Sequence, residues 1–496
     1  MDLIITGKDL TINILVKAAR HERLRISFAA QALKNMKKGR EFASIVTAKG
    51  GPVYGLSVGV GSRKTRRVPR GEMIQFNNRM IHDHVTAQGA FLPQDVTRAS
   101  TICLINSIAA GRTMIRSELA IKFAERLCSG PPLKGIPMYG GTGVGDVAQL
   151  PLLVLDLLDG DKVGVAEGLP LIAQSSIATA AAAVAIFDAK NLLNELCVVA
   201  AIDIEGFAAN PSPYYPISSS VRPYKGYRRA LEILNYCLNG SKIFKTEPRH
   251  LQEPLSFRSC AVIIGAAYDI FDFCKMQINI ELNAHQQNPL SMPKHNMLVT
   301  SGHFDMQAIS SALDYVRIAL APVLTAQTER SMKMLQASET GLTAGLEPLV
   351  NEKSFFSNGL SELAWALQGM CTEAKTLIQP VSAETPSATQ AEGIEDRMNM
   401  ANLSARRLSN MVELGFRCTA LSAIIGCQAM DLRGNGSMER FGPTLKGVHQ
   451  CVRSFIPALK PESSPPHFTA VETFVNALKH CVMFEIVKKQ QQKSKL

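Results

Sequence analysis

The chain has 496 residues, 46% hydrophobic and 19% charged, and carries a net charge of +11. That length can bury a large core and build two or three packed lobes. Its 11 cysteines are scattered singly with no CxxC pair, which argues for reduced thiols in an intracellular compartment and against a disulfide framework. No metal-ligand spacing links them to the 10 histidines, so no structural metal is expected.

In chain order, the N-terminal MDLIITGKDLTINILVKAAR mixes charges into its apolar residues and is not a signal peptide. Short strands are expected near LIITG and SIVTA. The basic groups gather in RKTRRVPR (63 to 70) and in the tail KKQQQKSKL. Aromatic residues do not interleave with them and no recognition module is visible, so nucleic acid is not an expected partner. An anionic small molecule reaching a basic loop fits the same charges.

Helical periodicity then dominates: Asp95 to Ile108, RTMIRSELAIKFAERL, a long run from Ala166, SFRSCAVIIGAAYDIFDFCKMQINIELNA, and FDMQAISSALDYVRIALAPVLTAQTERSMKML. Such lengths suggest a bundle of long central helices. GLPLIAQSSIATAAAAVAIF (168 to 187) approaches membrane-span length, but Gln174, Ser175, Ser176 and Thr179 interrupt it. It reads as a close-packed internal helix, and no membrane span is expected. The Pro/Ser-rich segment 210 to 226 and the low-apolar segment 379 to 393 read as loops. The tail ends in Ser494-Lys495-Leu496, a peroxisomal import address if the source is a eukaryote, with the import receptor as partner. Otherwise the expected location is cytoplasmic.

IPMYGGTGVGDVAQLPLL (136 to 153) is glycine-rich yet is no standard nucleotide loop. It lacks the lysine of a phosphate-binding loop and the spacing of a dinucleotide fingerprint. Asp146 is expected to cap the helix that follows, VAQLPLLVLDLL.

Six stretches in order resemble the aromatic amino acid ammonia-lyase family, of which histidine and phenylalanine ammonia-lyases are members. VYGLSVGVGS (53 to 62) resembles its tyrosine loop, and IQFNNRMIHDH (74 to 84) the helix carrying a site histidine. The glycine stretch, ending GD-x-A-x-L, resembles the cofactor loop. LQEPLSFRSCAVIIGA (251 to 266), IELNAHQQNPL with SGHF (280 to 304), and EDRMNMA (395 to 401) complete the set.

The resemblance implies a mainly α, fumarase/aspartase-type bundle of long helices assembled as a homotetramer, with sites drawing residues from three subunits. It implies an N-terminal lobe over 1–205 with the tyrosine and cofactor loops, a helical bundle over 206–490, and a tail over 491–496. By the same resemblance, Tyr54, His82 and Glu395 are candidates for proton transfer, and Arg258, Phe304 and Asn288 for binding a small-molecule carboxylate substrate. A guanidinium fork suits a carboxylate, and histidine titrates near neutrality. A phenol near pKa 10 is a poor base unless its site lowers it. Internal salt bridges of Arg258 with Glu281 or Glu395, and a helix-start role for Glu395, remain open.

In the family the cofactor loop's Ala-Ser-Gly cyclises to methylidene-imidazolone, an electrophile whose methylene arises by loss of the serine hydroxyl. Here those positions read Gly143-Val144-Gly145. Without a β-hydroxyl at Val144 the ring is not expected, unless a shifted ring forms at Gly141-Thr142-Gly143. Leu255, Ala173 and Ile394 are further departures, from the family's tyrosine, asparagine and glutamine. Three readings follow: an amino acid or carboxylate lyase or isomerase of secondary metabolism working without the ring; a silent partner subunit or scaffold of an active paralogue; and an ordinary ammonia-lyase.

Overall fold

The computed structural model describes residues 1–348, 358–383, 390–461 and 463–493. Ser494-Lys495-Leu496 and residues 384 to 389 of the low-apolar segment lie outside the described residues.

Two compact units divide the chain, and neither is a single run. The first comprises Met1–Phe187, Cys274–Asp314 and Pro380–Arg407; the second comprises Asp188–Phe273, Tyr315–Gln379 and Leu408–Leu496. The chain changes unit five times, once between Gln379 and Pro380 and four times inside the long helices Ser176–Phe207, Cys260–Glu281, Gln307–Met334 and Ala401–Gly434. A boundary at residue 205 therefore falls within a helix. A long helix is a continuous hydrogen-bonded rod, so no linker signal marks those four passages in the sequence.

All the strands among the described residues belong to the first unit, in three two-stranded sheets. Asp2–Ile5 pairs in parallel with Arg25–Phe28. Gln88–Phe91 pairs antiparallel with Pro137–Tyr139, and Leu290–Met292 with Met297–Val299. LIITG thus supplies a strand, but SIVTA does not. It lies inside the helix Ala30–Lys49, where Thr47 returns its hydroxyl to the Ala43 carbonyl at 2.8 Å and Gly50 ends the helix with φ of 69°. Its β-branched triplet reads locally as strand, and burial of Ala32, Met36, Phe42 and Ala43 along one face overrides that preference.

The helix expected to run unbroken from Ala166 is split. Gly168–Ile172 is followed by three residues and then Ser176–Phe207. Gln174 donates to the Pro170 carbonyl at 2.8 Å, and Thr179 donates to that of Ser175 at 2.8 Å. These polar residues tie off the break and are themselves buried. Among the described residues two helical stretches are long and apolar enough to cross a membrane; in the one from Gly168 to Phe207, 89% of the most apolar window is buried inside the protein. Its alanines let neighbours approach closely, as a core helix requires.

Polar groups are also buried in the second unit. Arg330 and Asp203 pair at 2.8 Å, both almost inaccessible to solvent. Glu195 is fully buried; one oxygen accepts from the Phe484 amide at 3.2 Å and the other has no partner. Burial pushes this carboxyl up to about 8 from an ordinary 4.5. The folded chain therefore holds a proton that the unfolded chain releases, so stability falls as pH rises from about 4.5 to about 8. We expect the thermal midpoint to drop between pH 5 and 8, and Glu195→Gln to raise it at pH 8 while leaving pH 5 nearly unchanged. An unaltered slope in the variant, followed by calorimetry, would contradict this assignment.

Candidate active site

The tyrosine loop folds into a tight coil. The Val53 carbonyl accepts from the amides of Leu56, Ser57 and Val58, and the Ser57 hydroxyl bridges the Val53 amide and the Gly51 carbonyl. Gly55 has φ of 69° and packs so closely on Leu169 that a side chain there would collide. The Tyr54 hydroxyl accepts from the Gly61 amide at 3.0 Å. Partial burial holds this phenol above its ordinary pKa; the Gly61 amide opposes the rise, and the Glu395 carboxylate adds to it.

The glycine stretch is held from several sides. Val144 bridges Asp305 in a short antiparallel contact. The Gly145 amide donates to the Phe304 carbonyl at 3.2 Å, and the Gly143 carbonyl accepts from Met306 N at 3.0 Å and Asn399 Nδ2 at 2.7 Å. The Thr142 carbonyl accepts from the amides of Asn399 and Met400. Asp146, fully buried, does not cap the helix that follows it. Its carboxylate accepts from Ile177 N at 2.6 Å, Ala178 N at 3.2 Å and Asn402 Nδ2 at 3.0 Å, at the start of Ser176–Phe207. Its carbonyl instead begins Leu150–Leu158 by accepting from Leu150 N at 2.8 Å. Burial pushes the carboxyl up to about 6 against these donors.

Around these segments lies a cavity of about 700 Å³ within the first unit. Tyr54, Val144, Gly145, Asn288, Phe304 and Glu395 all line it. Phe76, Met80, Leu169 and Ile172 give it an apolar side, and Arg63, Arg79, Asp83, His84 and Arg397 supply charge or titratable groups. Phe304 is positioned through its carbonyl, which also accepts from the Ser175 hydroxyl at 2.8 Å. Asn288 accepts from the Ser301 amide at 3.2 Å. Glu395 sits in a turn closed by reciprocal backbone bonds with Gln390. Gly143 lies just behind the lining, its carbonyl turned to Asn399 and Met306.

His82 is exposed on Met73–Asp83 and does not line the cavity. His84 does, with Nδ1 2.7 Å from the Met80 carbonyl. A carbonyl only accepts, so Nδ1 carries the proton and Nε2 of the neutral ring is an acceptor. Arg258 belongs to the second unit, is exposed at the end of the short helix Leu255–Arg258, and is not among the cavity's lining residues. Glu281 is bonded to Gln286 Nε2 at 2.5 Å, and burial pushes its carboxyl up.

Sequence reasoning missed Asn399, Asn402, Asp305 and Arg397. Arg397 donates to Asp305 at 3.2 Å and to Gln307 at 3.0 Å. The pair Asn399 and Asn402, just ahead of and inside the start of Ala401–Gly434, was the available signal. Two amides three residues apart at a helix start are suited to binding backbone groups. Among the described residues no group of three His, Cys, Asp or Glu side chains could hold a metal.

Fold and cavity together define a helical lyase-type scaffold with its site built from loops. The sequence profile of the aromatic amino acid lyase family matches residues 10–163 and 159–454, and the chain belongs to that family. Histidine ammonia-lyase of Treponema denticola is 24% identical over 476 residues, covering 91% of this chain and 92% of the relative. Among solved structures, the ergothioneine-degrading ergothionase of Treponema denticola, in complex with desmethyl-ergothioneine sulfonic acid, superposes with a TM-score of 0.86 at 22% identity over 99% of both chains. Tyrosine aminomutase of Streptomyces globisporus superposes with a TM-score of 0.90 at 20% identity, again over 99% of both. These structural likenesses establish the fold.

The residues present do not fit the family's methylidene-imidazolone. Val144 has no hydroxyl to lose. The Gly145 nitrogen that would attack is donating to Phe304, and the Gly143 carbonyl it would attack holds two donors. Gly143 has φ of 83°, and a Cβ there would run into the Asn399 carboxamide, so alanine is excluded as well. We expect the purified protein to have its unmodified mass and no ring absorbance in the near ultraviolet. A mass lower by one or two waters, mapped to residues 141 to 145, would overturn this. Installing Ala-Ser-Gly by Gly143→Ala with Val144→Ser should cost about 2–5 kcal/mol in denaturant unfolding and still yield no ring.

Proposed function

We propose that the chain is an enzyme that eliminates an amine from, or isomerises, an aromatic or imidazole amino-acid derivative without a ring electrophile. The observation that carries this reading is the cavity itself, which keeps Tyr54, Glu395, Phe304 and Asn288 together around a loop bonded against cyclisation. A silent partner subunit has no need to hold such a cavity in place.

Without an electrophile to activate the amine, the substrate must bring its own activation. A quaternary ammonium meets that need, because it departs as a neutral tertiary amine and requires no proton. Ergothioneine, a quaternary amine and the compound degraded by one solved relative, is the first substrate to test. In this mechanism the Tyr54 phenolate takes the β-proton, the C–N bond breaks, and the electron pair forms the alkene. The Gly61 amide stabilises the phenolate at 3.0 Å, and the substrate cation beside Tyr54 and Glu395 offsets the rise in the phenol's pKa.

Tyr54→Phe should lower kcat/KM by about 10²–10⁴-fold. With a phenol base held above 10, kcat/KM should climb close to tenfold per pH unit between pH 7 and 9. A rate unchanged in Tyr54→Phe would remove the phenol as the base.

We further propose assembly as a homotetramer. Phe273, Met276 and Ile280 are 44%, 51% and 61% exposed at three- and four-residue steps along Cys260–Glu281, an apolar stripe suited to a second copy. Met276→Glu with Ile280→Glu should shift the species seen by light scattering toward monomers or dimers; an unchanged mass would remove this stripe from the interface.

A further inference from the structure

A second cavity, of about 370 Å³, lies wholly within the second unit and shares no lining residue with the one that Tyr54 lines. It is bounded by the long helix Ala401–Gly434, the end of Pro443–Phe455, the start of Phe468–Lys479 and the strap that joins the last two. Small-molecule pockets commonly enclose about 300–1,000 Å³. Leu360, Ile424, Ile456 and Leu459 give it a buried apolar lining.

The strap is fixed by its own bonds. Gln428, buried on the long helix, accepts from the Leu459 amide at 3.0 Å. The Ser463 hydroxyl accepts from the Lys460 amide at 2.7 Å and donates to the Lys460 carbonyl at 2.9 Å. Pro457, Pro465 and Pro466 each carry a restricted φ. A pocket held in this way is formed before a ligand arrives, which lowers the cost of binding one.

The polar groups of the wall are donors. Arg453 Nη2 donates to Asp431 at 2.5 Å, and the other Asp431 oxygen lies 2.7 Å from His449 Nε2. Arg453 Nη1 serves the Ile456 and Pro457 carbonyls. Its Nε is buried and has no partner among the described residues, a donor left over beside the cavity. Lys460 is exposed at the rim. His467 Nδ1 accepts from the Thr469 amide at 3.3 Å, so the neutral ring carries its proton on Nε2 and presents a further donor. His467 also caps the 12-residue helix Phe468–Lys479, whose N-terminus adds positive partial charge. No acidic side chain lines the cavity among the described residues.

We infer that this second cavity binds a small monocarboxylate with an apolar body. The carboxylate meets Arg453 Nε, Lys460 and the start of Phe468–Lys479, and the hydrocarbon part packs on Leu360, Ile424 and Ile456. The site is separate from the proposed reaction and does not depend on it.

The test is calorimetric titration of the full chain with octanoate, beside octylamine as the cation of the same shape. Octanoate should bind about tenfold tighter or more than octylamine and raise the thermal midpoint. Lys460→Glu, on an exposed side chain, should weaken octanoate by about three- to tenfold at low salt and leave the midpoint of the ligand-free protein unchanged. Ala470→Phe, which fills this cavity, should abolish octanoate binding, whereas Ala173→Phe, which fills the cavity beside Tyr54, should preserve it. Binding lost in Ala173→Phe and kept in Ala470→Phe moves the anion to the first cavity and overturns the inference. Octylamine binding as tightly as octanoate, an unchanged affinity in Lys460→Glu, or no octanoate binding at all overturns it too, and none of these outcomes touches the proposed function.

Discussion

A single buried carboxylate organises the site. Asp146 takes two amides from the buried first turn of a 32-residue helix and one from the Asn402 side chain, while its own carbonyl starts another helix. A buried anion is tolerated only when its oxygens are filled, and helix N-termini supply donors that lack partners within the helix. The glycine stretch that forms one wall of the cavity is anchored at this junction. Gly145 and Gly143 reach Phe304 and Met306, Ser175 reaches Phe304, and Asn399 ties the loop to Asp305. The cavity wall is thus a network of backbone groups, and the side chains that face substrate are mounted on it.

The long helices and much of the site were legible in the sequence for different reasons. Helices such as Gln307–Met334 announce themselves by apolar spacing. Tyr54, Asn288, Phe304 and Glu395 were found because motifs in order resemble a family, and all four line one cavity. What escaped was set by three-dimensional neighbours. His84 rather than His82 reaches the cavity because helix rotation near a terminus decides which of two nearby side chains turns inward. Asp146 caps a distant helix because a carboxylate 31 residues away in sequence can lie adjacent in space. SIVTA became helix because packing outweighs local preference.

The electrostatics follow from the same economy. The tyrosine loop spends its glycines on tight turns, and those turns place Tyr54 and Arg63 within one coil. The loop from Gln390 brings Glu395 to the opposite turn.

The contact of Gly143 with Asn399 bears on how such a loop can change. Asn399 fills the space that an alanine methyl would need, and it also binds the Gly143 carbonyl and Asp305. Replacing the glycine alone creates a clash, whereas replacing the asparagine alone removes one of two donors from the Gly143 carbonyl and one from Asp305, which keeps Gln307 N and Arg397. The two positions are coupled, so an alanine at 143 requires the Asn399 side chain to move or to be replaced by a smaller one. The shape of the glycine loop and the identity of residue 399, more than 250 positions apart in sequence, are therefore set by one shared volume.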